Sequence, residues 1–255
     1  FNVSDVSRVS IINNTLFSNA TGSYPILFNG VNESKILNNI ARTTAYVKGW
    51  GHPSVIVLSN SFYNNISSNN VITNDSNGIY LTGYLGGGEM GQEGGANAYN
   101  YIFNNTVHSI RGVEWALDSN GKVPLPSSFA YGIQVMGAYN DIINNTVYNM
   151  YRGISGTQTG NKVIGNTLYN IHGTWYSGNT NDEGGDYAIY TSKNSIVENN
   201  TISDSFFNTT KSAIYVGANS NVSNNVLINI TGKGIDLSSN NVRCYDNQIN
   251  TTSYG

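Results

Sequence analysis

Residues 131–147 read YGIQVMGAYNDIINNTV, and residues 152–168, one step of 21 residues later, read RGISGTQTGNKVIGNTL. Both stretches open on a Gly-Ile pair, Gly132-Ile133 and Gly153-Ile154, and close on an asparagine set between apolar residues. Working outward from them, a motif of the form apolar-x-Asn-Asn-Thr-apolar, or a near relative, recurs with its second asparagine at Asn14, Asn39, Asn60, Asn105, Asn145, Asn166, Asn200, Asn225 and Asn247. The intervals are 25, 21, 45, 40, 21, 34, 25 and 22 residues, a base step of 21 to 25 interrupted by insertions. Such self-similarity is the mark of a solenoid. Three residues before each anchor stands Ile11, Ile36, Val57, Ile102, Ile142, Val163, Val197, Val222 or Cys244, and two after it stands Leu16, Ala41, Phe62, Val107, Val147, Leu168, Ile202, Leu227 or Ile249. A second element places Ile133, Ile154, Ile189, Ile214 and Ile235 eleven or twelve residues ahead of their anchors.

These segments are too short and too strictly alternating for helices. Three short strands per turn, each with inward residues at period two, predict an all-β fold, a right-handed parallel β-helix of about nine coils. Asparagine suits the bend between the second and third strands because it tolerates the left-handed region. A column of its stacked amides hydrogen-bonds from coil to coil, so the asparagines are expected to form an inward ladder. The whole span 1–255 reads as one domain, expected to be a processed chain or a piece of a longer protein because it begins at Phe1.

Composition narrows the function. The net charge is −3 with 11% charged residues, which leaves no basic surface for a phosphate backbone, so nucleic acid is not an expected partner. No apolar run is long enough to span a bilayer as a helix. The single cysteine, Cys244, reads as a small buried hydrophobe. Gly86-Gly87-Gly88-Glu89-Met90-Gly91 matches the spacing of a dinucleotide loop but neither follows a βαβ unit nor opens a helix, so no nucleotide site is expected.

The runs from Tyr131-Gly132-Ile133-Gln134-Val135 through Asn144-Asn145-Thr146-Val147, with their equivalents around Asn166, Asn200 and Asn225, resemble the NosD-like and pectate-lyase-like superfamily of right-handed parallel β-helix proteins. The resemblance spans nearly the whole chain. It implies the fold, while the coil itself serves lyases, hydrolases, adhesins and surface-layer modules alike. Copper handling, which the first name implies, finds no ligand-spaced cluster among three scattered His and three Met.

Function in such a fold is expected in its outward columns and insertions. The position three after the anchor reads Phe17, Arg42, Tyr63, His108, Tyr148, Tyr169, Ser203, Ile228, Asn250, and the first strand presents Tyr80, Gln134, Ser155, Tyr190, Tyr215 and Asp236. Stacked aromatics stabilise a ladder by about 0.2–1 kcal/mol per pair and also offer a platform for sugar rings. Tyr80, Tyr190 and Tyr215, with Trp115 and Trp175 from insertions, are therefore the candidate carbohydrate-binding residues. Insertions are expected near residues 63–77, 83–99, 111–130 and 173–186. They carry the candidate catalytic carboxylates Glu114, Asp182, Glu183 and Asp186, to which Arg152 adds a basic group from the coil. No cofactor is required, although Asp182, Glu183 and Asp186 lie close enough in sequence to supply oxygen ligands to Ca²⁺.

Thirteen Asn-x-Ser/Thr sequons occur, where composition alone gives about eight. In Asn144-Asn145-Thr146 the ladder residue points in and the acceptor Asn144 points out, and the same holds for Asn13, Asn104 and Asn199. Asn19, Asn32, Asn65, Asn74, Asn208, Asn221 and Asn229 are further candidates for N-glycosylation. The combined expectation is an extracellular or cell-surface glycoprotein with a structural or adhesive role in a surface, filament or virion. It would associate with itself end to end or laterally and meet glycans as partners. The alternative is a polysaccharide lyase or glycoside hydrolase working in a groove beside the first-strand tyrosines.

Overall fold

Each three- or four-residue strand can bury only one or two side chains, so no coil is stable by itself and the strands must pair with copies of themselves above and below. The computed structural model describes residues 1–19, 24–44, 54–74, 76–83, 97–110, 130–171, 187–207 and 211–251. It shows three all-parallel sheets of nine strands each. Every coil contributes one strand to each sheet; the fifth, for example, uses Tyr131–Val135, Asp141–Ile143 and Thr146–Met150. The chain is a right-handed parallel β-helix of nine coils, with no helix among the described residues.

The interior follows the expected columns. Ile36, Ile66, Ile102, Ile142, Val163, Val197 and Val222 stack in the second sheet, facing Ala41, Val71, Val107, Val147, Leu168, Ile202 and Leu227 in the third, and all are buried. The first sheet adds Ile79, Ile133, Ile154, Ile189 and Ile214.

The corner between the second and third sheets takes two residues in every coil. The first is in the left-handed region (Asn13, Asn38, Ser68, Asn104, Asn144, Gly165, Asn199, Asn224, Asp246) and the second is the ladder asparagine. Within the ladder, the Oδ1 of Asn145 accepts both the backbone N–H of Asn105 (2.9 Å) and its Nδ2 (3.0 Å). The Nδ2 of Asn145 in turn donates to Asn166 Oδ1 at 3.0 Å and to the carbonyl of Ile102 at 2.9 Å. Each buried amide of this ladder is thereby paired, which removes the desolvation penalty an orphan would carry.

The corner between the first and second sheets repeats the device. Asn64, Asn100, Asn140 and Asn161 form a second buried ladder, five residues ahead of the first, with Ser34, Ser195 and Ser220 taking the place in neighbouring coils. Sequence reading missed this ladder because its position is divided between asparagine in four coils and serine in three, even though the apolar residue two places after it is shared.

Four expectations are corrected. The ladder residue of the third coil is Asn69, bonded to Asn39 and Asn105, and not Asn60, which is exposed with φ +46° at an outer corner. Its +3 position is accordingly Ile72, paired with Arg42 and His108, and Tyr63 belongs to a different column. Residues 63–77 are then mostly regular coil rather than an insertion, and residues 44–53 hold the insertion of that region. Cys244 pairs with Val222 in the inward column, yet it is exposed, because among the described residues no further strand covers that side of the last coil.

Candidate functional site on the first sheet

The connections single out one face. The segments 44–53, 110–130 and 172–188 all lead from the third sheet into the first, and 83–100 leads from the first to the second, so every long insertion borders the first sheet. Along its outer side Tyr80, Gln134, Ser155, Tyr190, Tyr215 and Asp236 stand in one hydrogen-bonded register, as the sequence predicts for the three tyrosines. Tyr80 and Tyr190 lie three coils apart, roughly 14 Å at the usual strand spacing. Gln134 and Ser155 floor the interval and are buried.

A second row lies at the sheet edge. Gly78, Gly132 and Gly153 allow successive backbones to approach so closely that an added Cβ would collide with a carbonyl of the next coil and with a core side chain of its own coil. The residue preceding each glycine, Asn77, Tyr131 or Arg152, is thus brought against the same face. The Arg152 guanidinium sits 4.8 Å over the Tyr131 ring and Nη1 donates to the Tyr131 hydroxyl at 2.5 Å. Asn77 accepts from the backbone N–H of Tyr131 at 2.9 Å.

Tyr190 and Tyr215 stack in parallel at 5.1 Å, and Tyr187 leans on both at 45–48°, with Lys211 Nζ 5.8 Å over its ring. Burial pushes the phenol of Tyr80 above its ordinary range, with Tyr24 and Tyr131 acting the same way and a hydrogen bond with Thr82 opposing. Burial, then Tyr215 and Tyr131, raises Tyr190. Both are therefore neutral hydroxyl donors at neutral pH. Tyr80 directs its hydroxyl to Met136 Sδ at 3.2 Å. Sequence reasoning missed Tyr131 and Tyr187 because neither falls in the alternating outward register.

Of the other candidates, Arg152 joins this face, whereas Glu114, Trp115, Trp175, Asp182, Glu183, Asp186 and Asn208 lie outside the described residues. The possible Ca²⁺ ligands fall among them; within the described residues no three His, Cys, Asp or Glu side chains group around a common point. Asn13, Asn104, Asn144 and Asn199 are exposed on the corner between the second and third sheets, and Asn19 and Asn229 are exposed elsewhere. Asn32, Asn65, Asn74 and Asn221 are half-buried, and Asn32 Oδ1 accepts the backbone N–H of Phe62 at 2.9 Å.

Two further aromatic stacks lie off this face. His108, Tyr148 and Tyr169 stack on the third sheet at 4.7 Å. Tyr63, Tyr99 and Tyr139 stack at the corner between the first and second sheets at 5.2 and 5.6 Å. In both, the ring faces are taken by neighbouring rings and the outward surface consists of ring edges. The corner tyrosines also have left-handed backbones (φ +57°, +59° and +55°), a conformation that costs a residue with a Cβ about 1–2 kcal/mol, against about 0.5–1.5 kcal/mol returned by each stacked pair.

No protein-family model matches the chain, and no curated protein is detectably similar to it in sequence. Among solved structures it is similar to an alginate lyase from Paenibacillus sp. str. FPU-7, at 10% identity and a TM-score of 0.29 over 96% of this chain and 99% of that one. It is also similar to PfbA, a surface adhesin of Streptococcus pneumoniae, at 13% identity and a TM-score of 0.31 over 89% of this chain and 63% of that one.

Proposed function

We propose that this chain is an extracellular rod with a structural or adhesive role, that its first sheet binds a carbohydrate chain, and that N-linked glycans occupy the opposite corner. One observation carries the reading: the long insertions border the first sheet, where Tyr80, Tyr131, Tyr190 and Tyr215 stand, while four exposed sequons, Asn13, Asn104, Asn144 and Asn199, share the one corner without insertions. Rings and neutral phenols combine an apolar body with a hydroxyl donor, the chemistry sugars require. Glycan on Asn13, Asn104, Asn144 or Asn199 would leave that face clear.

Retention of the protein on a panel of immobilised polysaccharides is expected to fall about tenfold or more in the Tyr190→Ala/Tyr215→Ala variant. Unchanged retention, or none in the parent protein, would remove the first sheet from consideration. Peptide mapping of protein from its native source is expected to find hexosamine on several of Asn13, Asn104, Asn144 and Asn199; four unmodified asparagines would refute the glycoprotein reading.

The contact between Arg152 and Tyr131 favours a second reading, a polysaccharide lyase or glycoside hydrolase, because it sets a cation and a phenol together on the face where the first-sheet tyrosines stand. Release of new reducing ends from a polysaccharide, abolished by Arg152→Ala, would replace the adhesive reading with this one.

A further inference from the structure

We propose that the corner stack Tyr63, Tyr99 and Tyr139 is a separate binding surface for an uncharged polysaccharide chain running along the rod axis. The same left-handed column is filled in later coils by Gly160, Asn194, Asn219 and Asn241, residue types that adopt the conformation with little or no strain. Three adjacent coils instead carry tyrosine, among the least suited of side chains, and leave it 50–60% exposed. Backbone strain combined with solvent-facing aromatic surface is a pattern of binding sites rather than of packing.

The chemistry of the surface selects the ligand. The rings are parallel within 8° and follow one another at 5.2 and 5.6 Å, so they present a row of edges and phenol groups at nearly constant pitch. None of the three hydroxyls donates to a group among the described residues. Phe62, Ala98 and Ala138 precede them, and Tyr101 with Phe103 extends the aromatic surface onto the second sheet. The charges in the column, Arg8 and Glu33, neutralise each other at 3.0 Å. A hydroxylated polymer whose repeat approximates the coil spacing meets one phenol per sugar there, whereas for a polyanion the nearby cations Arg8 and Lys162 are already engaged by Glu33 and Asp141. Tyr139 lies directly on Gly160, where an added Cβ would collide with its ring, so the row ends at that coil.

Isothermal titration with cellohexaose, laminarihexaose and mannohexaose, and with a polygalacturonate hexamer as the charged comparison, tests the surface. At least one neutral hexamer is expected to bind with an affinity indifferent to salt, and the acidic one is not. The Tyr63→Asn/Tyr99→Asn/Tyr139→Asn variant should bind about tenfold or more weakly while melting within a few degrees of the parent, since asparagine relieves the backbone as the stack is lost. Tyr99→Phe, which keeps the stack and removes one hydroxyl, should bind measurably more weakly. Titrations repeated in a Tyr190→Ala/Tyr215→Ala background, where the first-sheet site is disabled, should still show the binding lost in the corner variants, which separates the two surfaces. No neutral hexamer bound at millimolar concentration, undiminished binding in either corner variant, a large melting loss in the asparagine variant, or a change in its sedimentation showing that the stack joins two copies of the chain would each overturn the proposal.

Discussion

Asn145→Ala is expected to lower the melting temperature by on the order of 10 °C, whereas Asn144→Gly, one residue away, should leave it almost unchanged. The first substitution strands the backbone N–H and the Nδ2 of Asn105, both of which end on Asn145 Oδ1, inside a fully buried column. Each orphaned donor costs about 1–3 kcal/mol, for a total of roughly 2–6 kcal/mol. Asn144 is exposed and contributes its left-handed backbone at φ +54°, which glycine adopts freely. Asn144→Ala should fall between the two, losing at most about 1–2 kcal/mol to the strain of a Cβ in that region. Thermal melts of the three variants decide the matter; equal shifts for Asn145→Ala and Asn144→Gly would mean that the amide ladder contributes nothing beyond the fold of the corner.

The second large effect is expected at Gly153. A Cβ there would collide with the carbonyl of Ala188 in the next coil and with Leu168 Cδ2 in the core. The leucine can turn away, but the carbonyl is held by the Ile154 N–H at 2.7 Å and cannot. Gly153→Val therefore forces the sixth and seventh coils apart at the edge of the first sheet, at a cost of about 3 kcal/mol or more. The same displacement moves Arg152, the preceding residue, off the Tyr131 ring, so carbohydrate retention should fall together with stability. Gly153→Val melting within a degree or two of the parent would show that the coils have slack at this edge and that the glycine column has another cause.

The repeat of apolar and asparagine residues was enough to specify the coil. An alternating strand has only one side to bury, and an amide that must be paired in the interior can be paired only by its counterpart one turn away, so Asn14, Asn105, Asn145 and Asn200 identify themselves locally. Their exposed neighbours Asn13, Asn104, Asn144 and Asn199 follow from the same reading, because inside and outside alternate residue by residue. Where insertions change the length of a turn, local pattern no longer says which asparagine meets which. Asn60 and Asn69 both stand in plausible frames, and only pairing with Asn39 below and Asn105 above selects Asn69. That choice moved Tyr63 out of the third-sheet column and into the corner stack with Tyr99 and Tyr139. The site on the first sheet divides in the same way. Tyr80, Tyr190 and Tyr215 were legible as one outward column, but Tyr131 and Arg152 reach it through the close backbone approach at Gly132 and Gly153, a distance between turns that depends on every coil being stacked. Alternation is a property of consecutive residues, whereas contact between coils is a property of the assembled stack.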